Sequence, residues 1–242
     1  MLLFPFLSVL AVSAVSLVGV LFLFFSEEKV SRWGKYLVSF AVGALFGEVF
    51  FHIFPEIFSK GDSTLVSLLL MGSILFFFAF EKFLHWRHEH EPGHEHPMGY
   101  VNIFADGLHN LIDGMFIGAA YLVSVPLGLA TTVAVAAHEI PQEIGDYSIL
   151  VRAGFTRGKA LLMNFLSACA AFIGLFVVVW LGKEIGDATA LILPVAAGGF
   201  LYLAGSDLIP DLHREQKLSN SFFEFFWLIA GAALMFALTV LG

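Results

Sequence analysis

The sequence predicts an all-α integral membrane protein, built as a bundle of eight transmembrane helices. Three observations predict this class: the composition is strongly apolar, apolar runs of helical length recur along the chain, and the basic residues between those runs are distributed asymmetrically. Of the 242 residues, 59% are hydrophobic and 13% are charged, against about 45–50% and about 25% in ordinary globular domains. Such a composition favours lipid over water and leaves almost no residues for a soluble domain.

Each apolar run has the length that a helix needs to cross a bilayer, about 20 residues for a hydrocarbon core of about 30 Å. We therefore predict a single transmembrane domain, 1–242, with spans near residues 3–25, 36–57, 64–84, 101–122, 126–150, 159–182, 188–210 and 221–241. No Lys or Arg precedes the first run, so we expect it to be retained as a membrane helix and not removed as a signal peptide. The single cysteine, Cys169, excludes an internal disulfide and a Cys-rich metal site.

The orientation follows from the Lys and Arg residues in the connections, because these are enriched on the cytoplasmic side of membrane proteins. Of the 12 Lys and Arg residues, Lys60 and Lys183 fall in even-numbered connections, and all the others fall in odd-numbered ones. The odd-numbered connections are therefore predicted to be cytoplasmic, with both termini outside, in the cytoplasmic (inner) membrane. The lipid bilayer is the expected partner. No nucleic-acid partner is expected, and a homodimer is compatible with the sequence but not indicated by it.

A weak internal repeat links the second and seventh spans. Residues 43–56 (GALFGEVFFHIFPE) and 198–211 (GGFLYLAGSDLIPD) align without gaps, with a glycine first and a proline followed by an acid near the end. The two spans run in opposite directions across the membrane, as in transporters with inverted repeats. The alternative is that Gly and Pro are simply common in membrane helices. If the repeat is real, spans 1–3 and 6–8 are two inverted three-helix repeats around a central pair, spans 4–5.

Spans 4 and 5 each carry a polar stripe at intervals of three and four residues, which places the stripe on one helix face. The polar residues are Asp106, His109, Asn110 and Asp113 in span 4, and His138, Glu139, Gln142, Glu143 and Asp146 in span 5. A charged side chain near the bilayer centre costs about 2.5–3.5 kcal/mol, and neither stripe contains Lys or Arg to neutralise its carboxylates. Protonation, water or a bound cation can do so. The histidines favour a cation, since imidazole with carboxylate suits borderline divalent metals such as zinc and ferrous iron.

Several ligand pairs follow from this spacing. His109 with Asp113, and His138 with Gln142, are i, i+4 pairs that could bind one ion between two helices. Pro141 has no N–H to donate, so span 5 is expected to kink or open there and to free a backbone oxygen. A second ion could lie nearby, and its candidate ligands are Asn110, Asp113, Glu139 and Glu143. The competing interpretation is that the polar residues are structural hydrogen-bond partners between helices.

The motifs HNLIDG at 109–114 and HEIPQE at 138–143 resemble the fourth- and fifth-span signatures of the ZIP (Zrt/Irt-like) divalent metal transporters. The resemblance is closest to the subgroup whose fifth-span motif is HEIPHE, and it extends to FHIFPE at 51–56. It implies uptake of zinc or a related divalent metal into the cytoplasm, with His109, Asp113, His138 and Gln142 as ligands of one ion. It also implies Asn110, Asp113 and Glu139 around a second ion, and His52 near the first.

One departure from that subgroup concerns the metal. Position 142 is Gln where the subgroup usually has His, and a neutral amide binds metal more weakly than imidazole. The choice between zinc, iron, manganese and cadmium as the transported ion is therefore left open.

The third connection, predicted as a cytoplasmic loop at 85–99, is rich in histidine. Its histidines are His85, His88, His90, His94 and His96. A tract of this composition is typical of a mobile metal-binding segment, which could collect ions that leave the pathway or sense their concentration. A soluble linker that happens to contain histidine is the alternative.

Two functions of another class compete with transport. An intramembrane metalloprotease needs H-E-x-x-H on one helix, but residues 138–142 (HEIPQ) lack the second histidine and contain Pro141. A different membrane metallohydrolase, in which His109, Asp113 and His138 activate a water molecule, is harder to exclude. Orientation does not fix the direction of net flow, so an export carrier also stays open.

Overall fold

The computed structural model describes residues 2–18, 27–89, 95–184, 188–213 and 218–241. This part of the chain forms helices and turns and contains no strand, which confirms the predicted all-α class. The α-helices are α1 (Leu3–Val15), α2 (Glu27–Gly47), α3 (Phe54–Lys60), α4 (Ser63–Glu89), α5 (Glu95–Val123), α6 (Val125–Arg152), α7 (Arg157–Ala168), α8 (Ala170–Glu184), α9 (Ala188–Tyr202), α10 (Ile209–Leu212) and α11 (Leu218–Leu241).

Four described helical stretches are long and apolar enough to cross a membrane. They are Lys35–Ser59, Ser63–Phe80, Arg157–Gly182 and Leu218–Val240, and two shorter apolar stretches are Leu3–Val18 and Ala190–Ser206. The two helices with polar stripes, α5 and α6, are not among these six, although they are 29 and 28 residues long. Both exceed the length of about 20 residues that a span requires.

Some helix boundaries differ from the predicted spans. The sixth predicted span is two helices in the structure, α7 and α8, which meet at Cys169. The predicted loop at 85–99 is shorter, because α4 continues to Glu89 and α5 begins at Glu95. Residues 19–25 of the first predicted span, and His90 and His94 of the histidine tract, lie outside the described residues. The helix α6 runs through Pro141 without interruption, so the expected opening of this helix is not observed.

Glycines set the distances between the most closely packed helices. A Cβ on Gly114 of α5 would lie 1.9 Å from the carbonyl oxygen of Ala171 in α8, and one on Gly174 of α8 would lie 1.9 Å from that of Leu111 in α5. In the pair α2 and α11, Gly43 has the same relation to Leu228, at 1.9 Å. Small residues allow the backbones of membrane helices to approach closely. The backbones of α5 and α8 are therefore in direct contact at these glycines.

Two π-helical segments interrupt the second and seventh predicted spans. They are Glu48–Ile53, between α2 and α3, and Leu203–Leu208, between α9 and α10. Each ends two residues before a proline, Pro55 or Pro210, and they occupy equivalent positions when 43–56 is aligned with 198–211. Single π-turns inside α-helices occur frequently at functional sites.

The main apolar core lies towards the C-terminal half of α5 and the N-terminal half of α6. Fully or almost fully buried members are Val9, Leu45, Val49, Ile117, Ala120, Val135, Leu175 and Val178. They come from helices α1, α2, α5, α6 and α8 and from the first π-helical segment. Since this end of α5 is the predicted outer end, the core closes the bundle on the predicted outer side.

The glycine contacts generate a test of the packing. Replacing Gly43 by Ala places a methyl group against the Leu228 carbonyl, so α2 and α11 must separate, and overpacking of this kind costs about 1–3 kcal/mol. We expect the thermal unfolding midpoint of the detergent-solubilised protein to fall. Gly72→Ala is the matched control, because a Cβ there has no neighbour within 4 Å. Equal midpoints for the two variants would contradict the packing described.

Candidate metal centre

Four side chains from the two central helices meet at one point. His109 and Asp113 lie one turn apart on α5, and His138 and Glu139 are neighbours on α6. One ligand atom from each lies within 4.8 Å of all the others. We call this group the histidine cluster. The distances are 3.3 Å for His109 Nε2 to His138 Nε2, 3.1 Å for His138 Nε2 to Asp113 Oδ2, 3.7 Å for His109 Nε2 to Asp113 Oδ2, 3.5 Å for His109 Nε2 to Glu139 Oε1 and 3.7 Å for His138 Nε2 to Glu139 Oε1.

These separations match those between the ligands of a tetrahedral metal ion. Zinc binds imidazole nitrogen and carboxylate oxygen at about 2.0–2.2 Å, which places tetrahedral ligands about 3.3–3.6 Å apart. The five distances in the histidine cluster range from 3.1 to 3.7 Å. Two carboxylates and two neutral imidazoles also balance the charge of one divalent cation. The cluster therefore has both the dimensions and the charge for such an ion.

Burial and hydrogen bonding orient the cluster. Asp113, His138 and Glu139 are 1–2% exposed, whereas the side chain of His109 is 26% exposed. His138 Nδ1 lies 3.2 Å from the carbonyl oxygen of Ala134. Because a carbonyl can only accept, this contact places the proton on Nδ1 and leaves the Nε2 lone pair for a metal. Neither carboxylate oxygen of Glu139 has a hydrogen-bond partner within the described part of the chain.

A second group, which we call the carboxylate cluster, consists of Asp106, Glu143 and Asp146. One oxygen from each lies within 4.8 Å of the others. The residues belong to the same two stripes and lie closer to the predicted cytoplasmic ends of α5 and α6. Neutral side chains donate hydrogen bonds to the carboxylates: Asn110 to Asp106, Ser167 to Asp106, Asn102 to Asp146 and Asn164 to Glu143.

A cavity of about 210 Å³ runs along the polar face of α5. It is lined from Asn102 to Phe116 along this helix, a length of about 20 Å at 1.5 Å per residue. The opposite wall carries aromatic side chains from α4 and α9, among them Phe77 and Phe200. His109 and Asp113 of the histidine cluster, and Asp106 and Asp146 of the carboxylate cluster, line the same cavity.

The structure regroups the residues singled out from the sequence. His109, Asp113, His138 and Glu139 lie together in the histidine cluster. The other candidates lie elsewhere. Gln142 lines the cavity, Asn110 donates to Asp106, and Asp106 and Glu143 belong to the carboxylate cluster.

His52, expected near the first ion, has contacts away from the histidine cluster. Its Nδ1 lies 3.2 Å from Glu48 Oε2, and its Nε2 lies 3.1 Å from the hydroxyl of Thr239 in α11. The other oxygen of Glu48 accepts a hydrogen bond from Thr131 of α6. Glu48 is fully buried. This network ties the first π-helical segment to α6 and α11 in the conformation observed.

Two further residues of the site were not among the candidates predicted from the sequence. Asp146 is the last acid of the span 5 stripe, and its position in that stripe could have identified it as a residue of the site. Asn102 lies four residues before Asp106 on the same face of α5 and donates to Asp146 at 3.0 Å. The aromatic wall of the cavity carries no sequence signal, because Phe occurs throughout the chain.

Comparison with known proteins gives a family match along nearly the whole chain. The family model described as ZIP Zinc transporter matches residues 2–99 and 88–239. The two matched segments together include every residue of both clusters.

Of three individual relatives, two are named as zinc transporters. Zinc transporter ZIP13 of Pongo abelii is 35% identical over 216 residues, which cover 83% of this chain and 65% of that protein. IAA-alanine resistance protein 1 of Arabidopsis thaliana is 42% identical over 146 residues, 59% of this chain and 31% of that protein. Zinc transporter ZIP13 of Mus musculus is 31% identical over 261 residues, 88% of this chain and 72% of that protein. The chain thus spans less than two thirds of the length of the first two relatives.

The geometry of the histidine cluster generates a binding test. Replacing Asp113 by Asn removes the carboxylate that lies against both imidazoles, so we expect the zinc dissociation constant of the purified protein to rise by at least about tenfold. Isothermal titration calorimetry in detergent measures this. The control is Asp62→Asn, since Asp62 is exposed and its Oδ1 only caps α4 through the N–H of Leu65. An unchanged affinity in Asp113→Asn would contradict the assignment.

Proposed function

This chain belongs to the ZIP zinc transporter family, and we propose that it carries a divalent metal ion across the membrane through the histidine cluster. The apolar helices make it an integral membrane protein, and the family consists of transporters and not of enzymes. The observation that carries the proposal is the set of four converging ligand atoms, 3.1–3.7 Å apart in the measured pairs. They lie in a buried region where neither stripe has a basic residue.

The proposed path crosses the bundle between the two central helices. An ion enters from the outer side past His52, and it exchanges most of its water for the ligands of the histidine cluster. It then leaves along the cavity towards the histidine tract at 85–99 and the cytoplasm. The orientation with both termini outside, and the cytoplasmic membrane as location, belong to the same proposal. A homodimer stays a prediction.

The observed conformation fits an inward-open state of this path. The cavity extends along α5 from the histidine cluster to Asn102, in the half of this helix nearer its predicted cytoplasmic end, while the apolar core lies around the other half. In such a state the site exchanges ions with the cytoplasm only. The Glu48, His52 and Thr131 contacts lie on the closed side and would have to break for the path to open outward.

Alternating access would use the two inverted repeats in an eight-span bundle. Two packed helix pairs support this arrangement, α2 with α11 and α9 with α4, because each joins the second helix of one repeat to the third helix of the other. Gly43 and Gly198 are equivalent in the alignment. A Cβ on Gly43 would meet the carbonyl of Leu228, and one on Gly198 would lie 2.8 Å from that of Leu70. The π-helical segments also coincide, so the repeats share both packing and backbone irregularity.

Zinc is the proposed ion, with iron, manganese and cadmium as related substrates. Two imidazoles and two carboxylates suit borderline divalent metals. Gln142 lines the cavity beside this set, and an amide oxygen adds a weaker ligand than the imidazole of the HEIPHE subgroup. A histidine at this position should therefore favour zinc and cadmium over manganese, because imidazole selects against oxygen-preferring metals.

Metal uptake into proteoliposomes tests the proposal. We expect zinc flux in the unaltered protein, loss of flux in His138→Ala, and a higher ratio of zinc to manganese flux in Gln142→His. The measurement compares zinc, ferrous iron, manganese and cadmium under one ion gradient. Absence of flux for all four metals with the unaltered protein would refute transport.

A peptide-cleavage assay separates the proposal from an intramembrane metalloprotease. Glu139→Gln removes one ligand of the histidine cluster, so a transporter loses flux and neither form yields a peptide product. A product formed by the unaltered protein and lost in Glu139→Gln would instead support proteolysis.

A further inference from the structure

We propose that the carboxylate cluster is a second cation site, with oxygen ligands only, that accepts a divalent ion after it leaves the histidine cluster. This inference rests on the proposed transport function and adds a separate binding site to the proposed ion path. The site consists of Asp106, Glu143 and Asp146, with the amides of Asn110 and Asn164 beside them.

Three helices build this site. Asp106 comes from α5, Glu143 and Asp146 come from α6, and α7 closes it with Asn164 and Ser167. Asp106 and Glu143 are 3% and 0% exposed. The oxygens of the three acids lie within 4.8 Å of one another, close enough to share one ion.

Every described hydrogen-bond donor to these carboxylates is neutral. Asn110 Nδ2 lies 2.8 Å from Asp106 Oδ1, and Asn102 Nδ2 lies 3.0 Å from Asp146 Oδ1. The hydroxyl of Ser167 and the amide of Asn164 donate to Asp106 and Glu143. The helix α5 contains no Lys or Arg, and α6 has only Arg152, at its last residue. These donors fix the carboxylates in place but supply no positive charge.

Oxygen atoms around the cluster lack donors. Within the described residues, Glu143 Oε1 and Asp146 Oδ2 have no hydrogen-bond partner. The same holds for the Oδ1 atoms of Asn110 and Asn164, whose side-chain amides contact the cluster and which are 0% and 1% exposed. Buried polar groups are rarely left unpaired. A bound cation would satisfy these carboxylate and amide oxygens together.

The position of the cluster defines its role. Glu139 of the histidine cluster and Glu143 lie one helical turn apart on α6, a rise of about 6 Å. Asp106 and Asp146 also line the cavity, so an ion held there has access to the predicted cytoplasmic side. Because the site lacks imidazole, it should bind zinc more weakly than the histidine cluster and prefer oxygen-seeking ions such as Mn²⁺. A weaker second site beside the first favours release.

Manganese binding distinguishes the carboxylate cluster from the histidine cluster. We expect the unaltered protein in detergent to bind Mn²⁺ with an electron paramagnetic resonance signal typical of oxygen ligands. Asp106→Asn combined with Asp146→Asn should weaken that binding by at least about tenfold, because two anionic ligands become amides of similar size. Zinc affinity at the histidine cluster, measured by calorimetry, should stay unchanged. The single variant Asp146→Asn, at a half-buried position, repeats the test if the double variant does not fold.

Two results would overturn the proposal. One is Mn²⁺ binding that the carboxylate variants leave unchanged. The other is parallel loss of zinc and manganese binding in Asp146→Asn, which would make the two clusters a single site. His138→Ala serves as the opposite control, since it should abolish the tight zinc binding of the histidine cluster and spare manganese binding. Failure of the transport proposal would be recognised by a different measurement, the absence of metal flux with the unaltered protein in proteoliposomes.

Discussion

The structure depends on one electrostatic constraint, the burial of carboxylates between two helices that offer no basic residue to neutralise them. Asp106, Asp113, Glu139 and Glu143 are each at most 3% exposed. At about 2.5–3.5 kcal/mol for each charge in a bilayer interior, four unneutralised carboxylates would cost about 10–14 kcal/mol, comparable with the whole free energy of unfolding of a typical protein. A divalent ion that replaces its water by these ligands removes much of this cost. In the proposed function, the same ion is the transported substrate.

The rest of the bundle holds the two stripes face to face. Glycine contacts at Gly114 and Gly174 bring α5 against α8 at backbone distance, which fixes the direction of the α5 polar face. The apolar core packs around the C-terminal half of α5 and the N-terminal half of α6, and the cavity lies along the polar face of α5 from Asn102 to Phe116. A transporter needs this asymmetry because an ion must reach its site from one side at a time.

Sequence periodicity predicts which residues of the site share a helix face. It does not predict the contacts that depend on how the helices pack against one another. Residues spaced by three and four share a helix face, so the meeting of His109, Asp113 and His138 follows from local geometry. The approach of Glu139 to His109 depends on the rotation of α6 relative to α5, which packing with other helices determines. His52 lies in a π-helical segment, whose wider turn shifts the helix face relative to a 3.6-residue period. Its contact with Thr239 could therefore not be derived from spacing. The all-helical class was predictable because apolar runs of membrane-spanning length recur along the chain.

Anomalous diffraction from crystals of this protein soaked in zinc or cadmium tests most directly whether a divalent ion binds to the buried carboxylates and histidines between α5 and α6. We expect an anomalous peak between α5 and α6, about 2.0–2.2 Å from the ligand atoms of His109, Asp113, His138 and Glu139. Absence of a peak there, with the carboxyl groups bonded to one another or to water in the same crystals, would contradict it.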